Sequence, residues 1–398
     1  MRVLLLHNRY QIQGGEDVVV AQEAAALRSS GVQVDIIETD NDSIVGLRSK
    51  LSATLNLAYS TAMRERVRER IRSWRADVMH VHNFFPRFTP SVYDAAADEG
   101  CGVVQTLHNY RLLCANAYLF RNEHLCTDCL KAKNALPGLL HRCYRNSFVG
   151  TAALSGMVLF HKVRRTWIER VDRFITLTTF AREMFIPHLE LDPEKVIVKA
   201  NLVPDIGTSE RRKEYALFVG RLSPEKGINL MLRAARTGRA MLPIRIAGSG
   251  SMAVEVQQEA ERGKIQFLGK KSTAEVHELL RGARVLMVPS IWHEAGVPLV
   301  VGEAFSAGVP VICCNIEPMV SVVKHEENGL LIPPNDENAL ADAIARVHTD
   351  DDLHAKMSRN ARLTYERLYQ PEPNIQQLLR IYSDAASCRR TRSTRVSA

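Results

Sequence analysis

The chain has 398 residues, of which 46% are hydrophobic, 24% charged and 6% aromatic. This is the composition of a packed α/β protein and excludes a disordered chain, a collagen-like repeat and a disulfide-dense scaffold, while the length exceeds what one core usually supports and implies two domains. Fifty-two Lys plus Arg against forty-four Asp plus Glu leave a net charge of +8, too small an excess to indicate nucleic acid.

Residues 2–8 form an apolar run of strand length, followed by Gly14 and Gly15 and then by apolar positions at helical spacing up to Gly31. Strand, glycine loop and helix follow one another. The alternation continues through 32–40, a helix near 61–75, 78–83, a helix near 90–98 and 102–109. Beyond an irregular cysteine-bearing stretch come a helix near 148–165 and strands at 174–178 and 195–201. A polar segment with Pro204 and Gly207 reads as a linker. A second alternating series starts at 216–222 and runs through 244–248, 265–269, 285–290, 309–314 and 329–333, with helices between, one of them starting at Lys226. Helices near 336–348, 351–368 and 373–386 close the chain.

The predicted fold class is therefore α/β, with two doubly wound Rossmann-like domains facing a central cleft. The boundaries are 1–203 for the first domain, with a Cys-rich insertion at 110–147, then a linker at 204–214 and a second domain at 215–368. A helix at 369–387 packs back on the first domain, and 388–398 is a disordered basic tail. No apolar run reaches the roughly 18 to 20 residues of a spanning helix, and the Val3–Leu6 run is too short for a signal peptide. The expected location is cytoplasmic. Residues 101–173 carry eleven basic side chains against four acidic, and the apolar run before Lys162, Arg164 and Arg165 suits either a solvated helix or peripheral contact with an anionic membrane face.

Ligands of open α/β sheets bind outside the carboxyl ends of the strands, so the chemistry belongs there. Gly220-Arg221 ends one strand, and Lys226 follows at the next helix start, where a cation and free amides suit a diphosphate. Glu294 and Glu303 bracket a Gly-Val-Pro loop at another strand end, and carboxylates there can accept hydroxyls from a ribose or a sugar. His108 ends a first-domain strand. Gly14 and Gly15 allow close backbone approach beside a helix start. AGSGS at 247–251 is too short a match to indicate nicotinamide binding.

Together, Gly14-Gly15-Glu16, His108 in TLHNYR, Gly220-Arg221 to Lys226-Gly227, the Glu294/Glu303 region and Asn328-Gly329-Leu330-Leu331 resemble the retaining glycosyltransferases of family 4. The resemblance implies the GT-B fold and transfer of a sugar from a nucleotide-diphosphate sugar donor to a saccharide or lipid-linked saccharide acceptor, in cell-surface polysaccharide or glycoconjugate synthesis. It implies that Arg221 and Lys226 bind the diphosphate, Glu303 the ribose and Glu294 the donor sugar, that His108 lies near that sugar, and that Gly14 and Gly15 face the phosphates and acceptor. It also implies that catalysis requires no metal. No Asp-x-Asp motif is suitably placed, since Asp40 and Asp42 follow a strand of the first domain. The chain departs from the pattern in one respect: eight residues separate Glu294 from Glu303 where the family has seven, so the extra residue falls in Ala295–Pro298. The alternatives are a nucleotide-sugar epimerase on the same fold and a non-catalytic nucleotide-sugar-binding protein.

Four of the eight cysteines, Cys114, Cys126, Cys129 and Cys143, share one loop-rich stretch. In a reducing compartment this spacing suits a structural zinc held by four thiolates. Four unrelated thiols, or His141 in place of one ligand, are the competing readings.

Overall fold

A computed structural model describes residues 1–9, 14–39, 57–209 and 214–396. Asp40, Asp42 and linker residues 210–213 lie outside the described residues. The chain forms two units. One comprises Met1–Leu119, Thr127–Leu202 and Pro371–Ala398, and the other Phe120–Cys126 and Val203–Gln370.

The first unit is built on strands β1 (Arg2–Asn8), β2 (Gln33–Thr39), β3 (Val78–Asn83) and β4 (Gly102–Leu107), followed in this sheet by β7 (Arg173–Thr176) and β8 (Val196–Val198). All pair in parallel, in the order β2-β1-β3-β4-β7-β8. Strands β1, β3 and β4 are buried along almost their whole length, as continuous apolar runs covered on both faces must be. The order reverses between β1 and β3, so the carboxyl ends of these neighbours, at Asn8 and His82-Asn83, open at a switch point. The helix Gly15–Ser29 begins beside it.

The chain returns to this unit through a 26-residue helix, Pro371–Val396. Leu378, Tyr382 and Ala385 of that helix join Val3, Leu5 and Val104 in one core cluster. A Cβ at Gly102 would fall 2.8 Å from the Ala385 carbonyl carbon, so the glycine lets helix and strand meet closely. The basic end expected to be disordered is instead helical as far as Val396. Arg389 is buried there, its Nε 2.8 Å from Oδ2 of the fully buried Asp172 side chain. Composition cannot reveal this, because the residue that anchors the tail lies more than two hundred positions upstream.

The second unit repeats the plan with β9 (Ala216–Arg221), β10 (Ile244–Ser249), β11 (Gln266–Gly269), β12 (Val285–Val288), β13 (Val311–Cys314) and β14 (Gly329–Ile332). Its parallel sheet runs β11-β10-β9-β12-β13-β14, and its switch point lies between β9 and β12. Phe218, Ile246, Met287, Ile312 and Leu330 from the strands meet Met231, Leu340 and Ile344 from the helices in its core. The cysteine-bearing stretch is not wholly irregular. It holds a two-stranded hairpin, β5 (Phe120–Arg121) with β6 (His124–Leu125), and two five-residue helices, Asp128–Ala132 and Leu136–Leu140. The hairpin groups with the second unit, where Asn229 Nδ2 donates to Glu123 Oε1 at 3.1 Å.

Candidate active site

In the second unit, Arg221 closes β9 and the loop after β12 carries Ser290 to Glu294, so the switch point brings both segments together. Lys226 does not open a helix as its sequence context suggests. It ends a single 3-10 turn, Pro224–Lys226, and the helix starts at Ile228 after Gly227 in the left-handed region at φ +76°. A Cβ at Gly227 would come within 1.9 Å of the Pro289 carbonyl oxygen. Glycine alone lets the loop lie against the β12 loop, and the Ile291 amide donates to the Glu225 carbonyl at 3.0 Å across the same seam.

Lys226 Nζ thereby reaches both carboxylate oxygens of Glu294 at 2.8 Å. Ser290 Oγ donates to Glu294 Oε1 at 3.0 Å, and the ring of Trp292 lies 5.6 Å from the ammonium. Arg221 donates through Nη2 to Glu225 Oε1 at 2.8 Å and through Nε to Ser223 Oγ at 3.3 Å, while its side chain is 46% exposed. Each expected phosphate-binding cation is thus held by a carboxylate that an anionic ligand can displace. Gly220 leaves space that Phe218 partly fills, a Cβ there lying 3.3 Å from Phe218 Cζ.

Glu303 is in the second turn of the buried helix Leu299–Ser306, 7% exposed, with Oε1 3.6 Å from His277 Nε2. The longer spacing between the two acids is absorbed before that helix, which Pro298 caps. The structure therefore joins Glu294 to Lys226 and Glu303 to His277. Ser290, Trp292 and His277 were not singled out from sequence; each depends on a contact between segments.

In the first unit, Gly14 caps the helix Gly15–Ser29 in an extended conformation, its amide donating to Asp17 Oδ2 at 2.7 Å. Among the described residues, a Cβ at Gly14 would meet only Asp17 Oδ2, at 4.0 Å, and one at Gly15 nothing within 4 Å. His108 follows β4, partly exposed, and lines a small cavity with His82, Phe85 and Arg111. Its Nε2 lies 3.0 Å from His82 Nδ1.

Behind His82 is a buried polar cluster absent from the sequence-based list. His82 Nε2 and His80 Nδ1 each lie 3.3 Å from Glu23 Oε1, and Lys199 Nζ is 3.3 Å from Glu23 Oε2. Burial favours the neutral acid at Glu23, but Lys199 and the two histidines outweigh it and hold the carboxyl well below its usual range. Burial, then the neighbouring His80, pushes His82 down to about 4, and burial with His82 beside it lowers His108 well below the usual histidine value. The sequence signal was present: His80 and His82, two apart on a strand, project to one face.

None of the eight cysteines forms a disulfide. Among the described residues, Glu23, His80 and His82 make up the group of three or more His, Cys, Asp and Glu whose ligand atoms lie within 4.8 Å of one another. Cys114, Cys129 and Cys143 fall in the first unit and Cys126 in the second. Cys114 Sγ faces Asn116 Oδ1 at 3.0 Å.

Two family models divide the chain between them, Glycosyltransferase Family 4 over residues 13–204 and Glycosyl transferases group 1 over 203–364. An uncharacterized glycosyltransferase of Methanocaldococcus jannaschii is 30% identical over 47% of this chain and 49% of its own, so the chain spans about half the length of that relative. A D-inositol 3-phosphate glycosyltransferase of Acidothermus cellulolyticus is 25% identical over 96% of this chain and 88% of its own. Among solved structures, the Anabaena protein Alr3699/HepE, in complex with UDP, matches with a TM-score of 0.67 at 17% identity, covering 96% of this chain and all of that one. The sucrose-phosphate synthase of Thermosynechococcus elongatus matches at 0.70 and 18%, covering 97% and 99%. Two parallel-sheet α/β units, each with its polar side chains at the switch point, and two consecutive family models place this chain among the group 1 glycosyltransferases of the GT-B fold.

Proposed function

We propose that the protein is a retaining glycosyltransferase that takes a hexose from a nucleoside diphosphate sugar, bound by the second unit, and passes it to a saccharide or lipid-linked saccharide. The observation that carries this reading is the Lys226–Glu294 pair, fixed at the switch point by Gly227. A diphosphate attracts Lys226 and Arg221 away from their carboxylates, which frees Glu294 to accept hydroxyls of the sugar. Charge on the departing diphosphate grows in the transition state, so cations held in place there lower the barrier. The bond from the sugar C1 to the phosphate oxygen breaks, the bond from C1 to the acceptor oxygen forms on the same face, and the acceptor proton passes to the departing diphosphate. Glu303, buried beside His277, takes the ribose hydroxyls.

The acceptor falls to the first unit, and one of its surfaces suits a lipid-linked substrate. In the helix Phe148–Val163, Thr151, Leu154, Met157 and His161 are buried, while Phe148, Val149, Leu159, Phe160 and Val163 are 42–75% exposed on the opposite face. Lys162 in its last turn and Arg164 and Arg165 just after it make the end basic. An apolar face with a basic end fits an anionic bilayer surface. No helix among the described residues is long and apolar enough to cross a membrane.

The test is thermal stabilisation by UDP-glucose, UDP-galactose, UDP-N-acetylglucosamine and GDP-mannose, followed by nucleotide release with the stabilising donor. One donor is expected to stabilise the wild type, and Glu303→Ala to reduce that shift by removing charge-assisted hydrogen bonds of about 1.5–3 kcal/mol. Equal stabilisation of a folded Glu303→Ala variant would overturn the ribose assignment. Flotation with vesicles rich in anionic lipid, lost on Leu159→Glu with Phe160→Glu, tests the surface.

A further inference from the structure

We propose that Glu23 and His82 are positioning residues that hold His108 as its Nε2–H tautomer, so that its Nδ1 is an acceptor offered to a hydroxyl of the sugar substrate. The substrate half of this proposal rests on the reading of His108 given above; the tautomer half does not.

The argument starts at the carboxylate. Glu23 is 3% exposed, ion-paired to Lys199, and can only accept hydrogen bonds when ionised. At 3.3 Å from its Oε1, although the pair is not aligned as a hydrogen bond, an N–H at His82 Nε2 is attracted by the carboxylate charge and a lone pair repelled, and charges count heavily in so dry a place. The proton of His82 therefore sits on Nε2. Burial keeps that ring neutral, so its Nδ1 carries a lone pair. His108 Nε2 faces this Nδ1 at 3.0 Å. Two lone pairs cannot meet at that distance, so His108 Nε2 carries the proton and donates it. A neutral His108 then has a bare Nδ1, which forms no hydrogen bond among the described residues and is not buried. One buried carboxylate thus sets, through two rings, the polarity of the atom presented at the end of β4.

The surroundings support the same direction. His80 backs the cluster with Nδ1 2.8 Å from the Tyr382 hydroxyl and Nε2 2.8 Å from Thr106 Oγ1. His7, on β1, is engaged by Asp17 at 2.8 Å. Glu23, His80 and His82 present ligand atoms as a metal site would, but Lys199 beside Glu23 opposes a cation, and both nitrogens of His80 are already engaged. The arrangement suits fixing protons better than holding a metal.

The experiment is nitrogen-15 NMR of histidine-labelled full-length protein, with His108 assigned by substitution, alongside nucleotide release from the stabilising donor among UDP-glucose, UDP-galactose, UDP-N-acetylglucosamine and GDP-mannose. In the wild type, His108 is expected to show a protonated Nε2 and an unprotonated Nδ1 at neutral pH. His82→Phe removes the acceptor and is expected to mix the tautomers and lower kcat about tenfold or more, with KM changed less. His82→Asn, whose carboxamide oxygen can take the place of Nδ1, is expected to restore the tautomer and most of the rate. A protonated Nδ1 in wild-type His108 would overturn the proposal outright, as would an unchanged tautomer in a folded His82→Phe variant. A mixed tautomer with unchanged turnover would overturn the role given to Nδ1 and leave the glycosyltransferase reading standing. Absence of turnover with every donor, with the wild-type tautomer as described, would instead overturn that reading and not the relay.

Discussion

Lowering the pH from 7.5 to 5 is expected to cost the first unit about 2 kcal/mol of stability through His82 alone. In the unfolded chain this histidine titrates at the ordinary histidine value of about 6.5, and in the folded protein burial and His80 bring it down to about 4. Between those values the unfolded state holds a proton that the folded state lacks. Stability is therefore fully present above the unfolded value and is lost as pH falls, by about 1.36 kcal/mol for each pH unit. From 6.5 to 5 this amounts to about 2 kcal/mol, and the loss levels off near pH 4 at about 3 kcal/mol. His108 is shifted the same way, and Glu23, depressed below 4.5, adds a loss of the same sign at lower pH. The groups around His82 are Glu23 from the first helix, His80 from the same strand, His7 from β1, His108 after β4 and, beyond the carboxylate, Lys199. Urea unfolding followed by tryptophan fluorescence in a Trp292→Phe background, which leaves the first unit's tryptophans as the probe, reports on this unit, where Trp167 is 1% exposed. The midpoint should fall between pH 7.5 and 5, and the fall should be shallower in His82→Asn. Equal midpoints at the two pH values, or an undiminished slope in His82→Asn, would refute the reasoning.

Lys226→Ala leaves Glu294 without the cation that holds both its oxygens and should lower turnover about a hundredfold, with a smaller loss of nucleotide affinity by calorimetry. The double variant with Arg221→Ala should nearly abolish transfer; wild-type turnover in that variant contradicts the diphosphate site. Gly227→Ala forces a side chain into a left-handed position 1.9 Å from a carbonyl oxygen, so a loss of at least about 2 kcal/mol in urea titration is expected, with weakened nucleotide binding. Arg389→Ala strands the buried Asp172 carboxylate and should destabilise by about 3–5 kcal/mol. A stability change below 1 kcal/mol there would mean that the C-terminal helix does not anchor through that pair.

Much of the architecture was legible in local pattern. A buried parallel strand announces itself as a short apolar run, and a helix as apolar positions at 3.6-residue spacing, so β1, β3, β4 and β12 fall within the expected segments. That Arg221 and Glu294 stand at or just after strand ends was readable, because a strand's carboxyl end is where a doubly wound sheet opens and chain order alone tells which residues stand there. Pairing was not readable. That Lys226 holds Glu294 depends on a glycine meeting Pro289 sixty-two positions away, and that Glu303 faces His277 depends on how two helices pack. The proton arrangement at His108 was the least visible, because it needs Glu23 from a helix, His82 from a strand and Lys199 from after β8, joined only once β1, β3 and β4 lie side by side. Composition, segment type and strand ends follow from interactions within a few residues, which the sequence determined by itself. Contacts, burial and the protonation states they impose depend on distances between segments remote in the chain, and only the tertiary structure decided them.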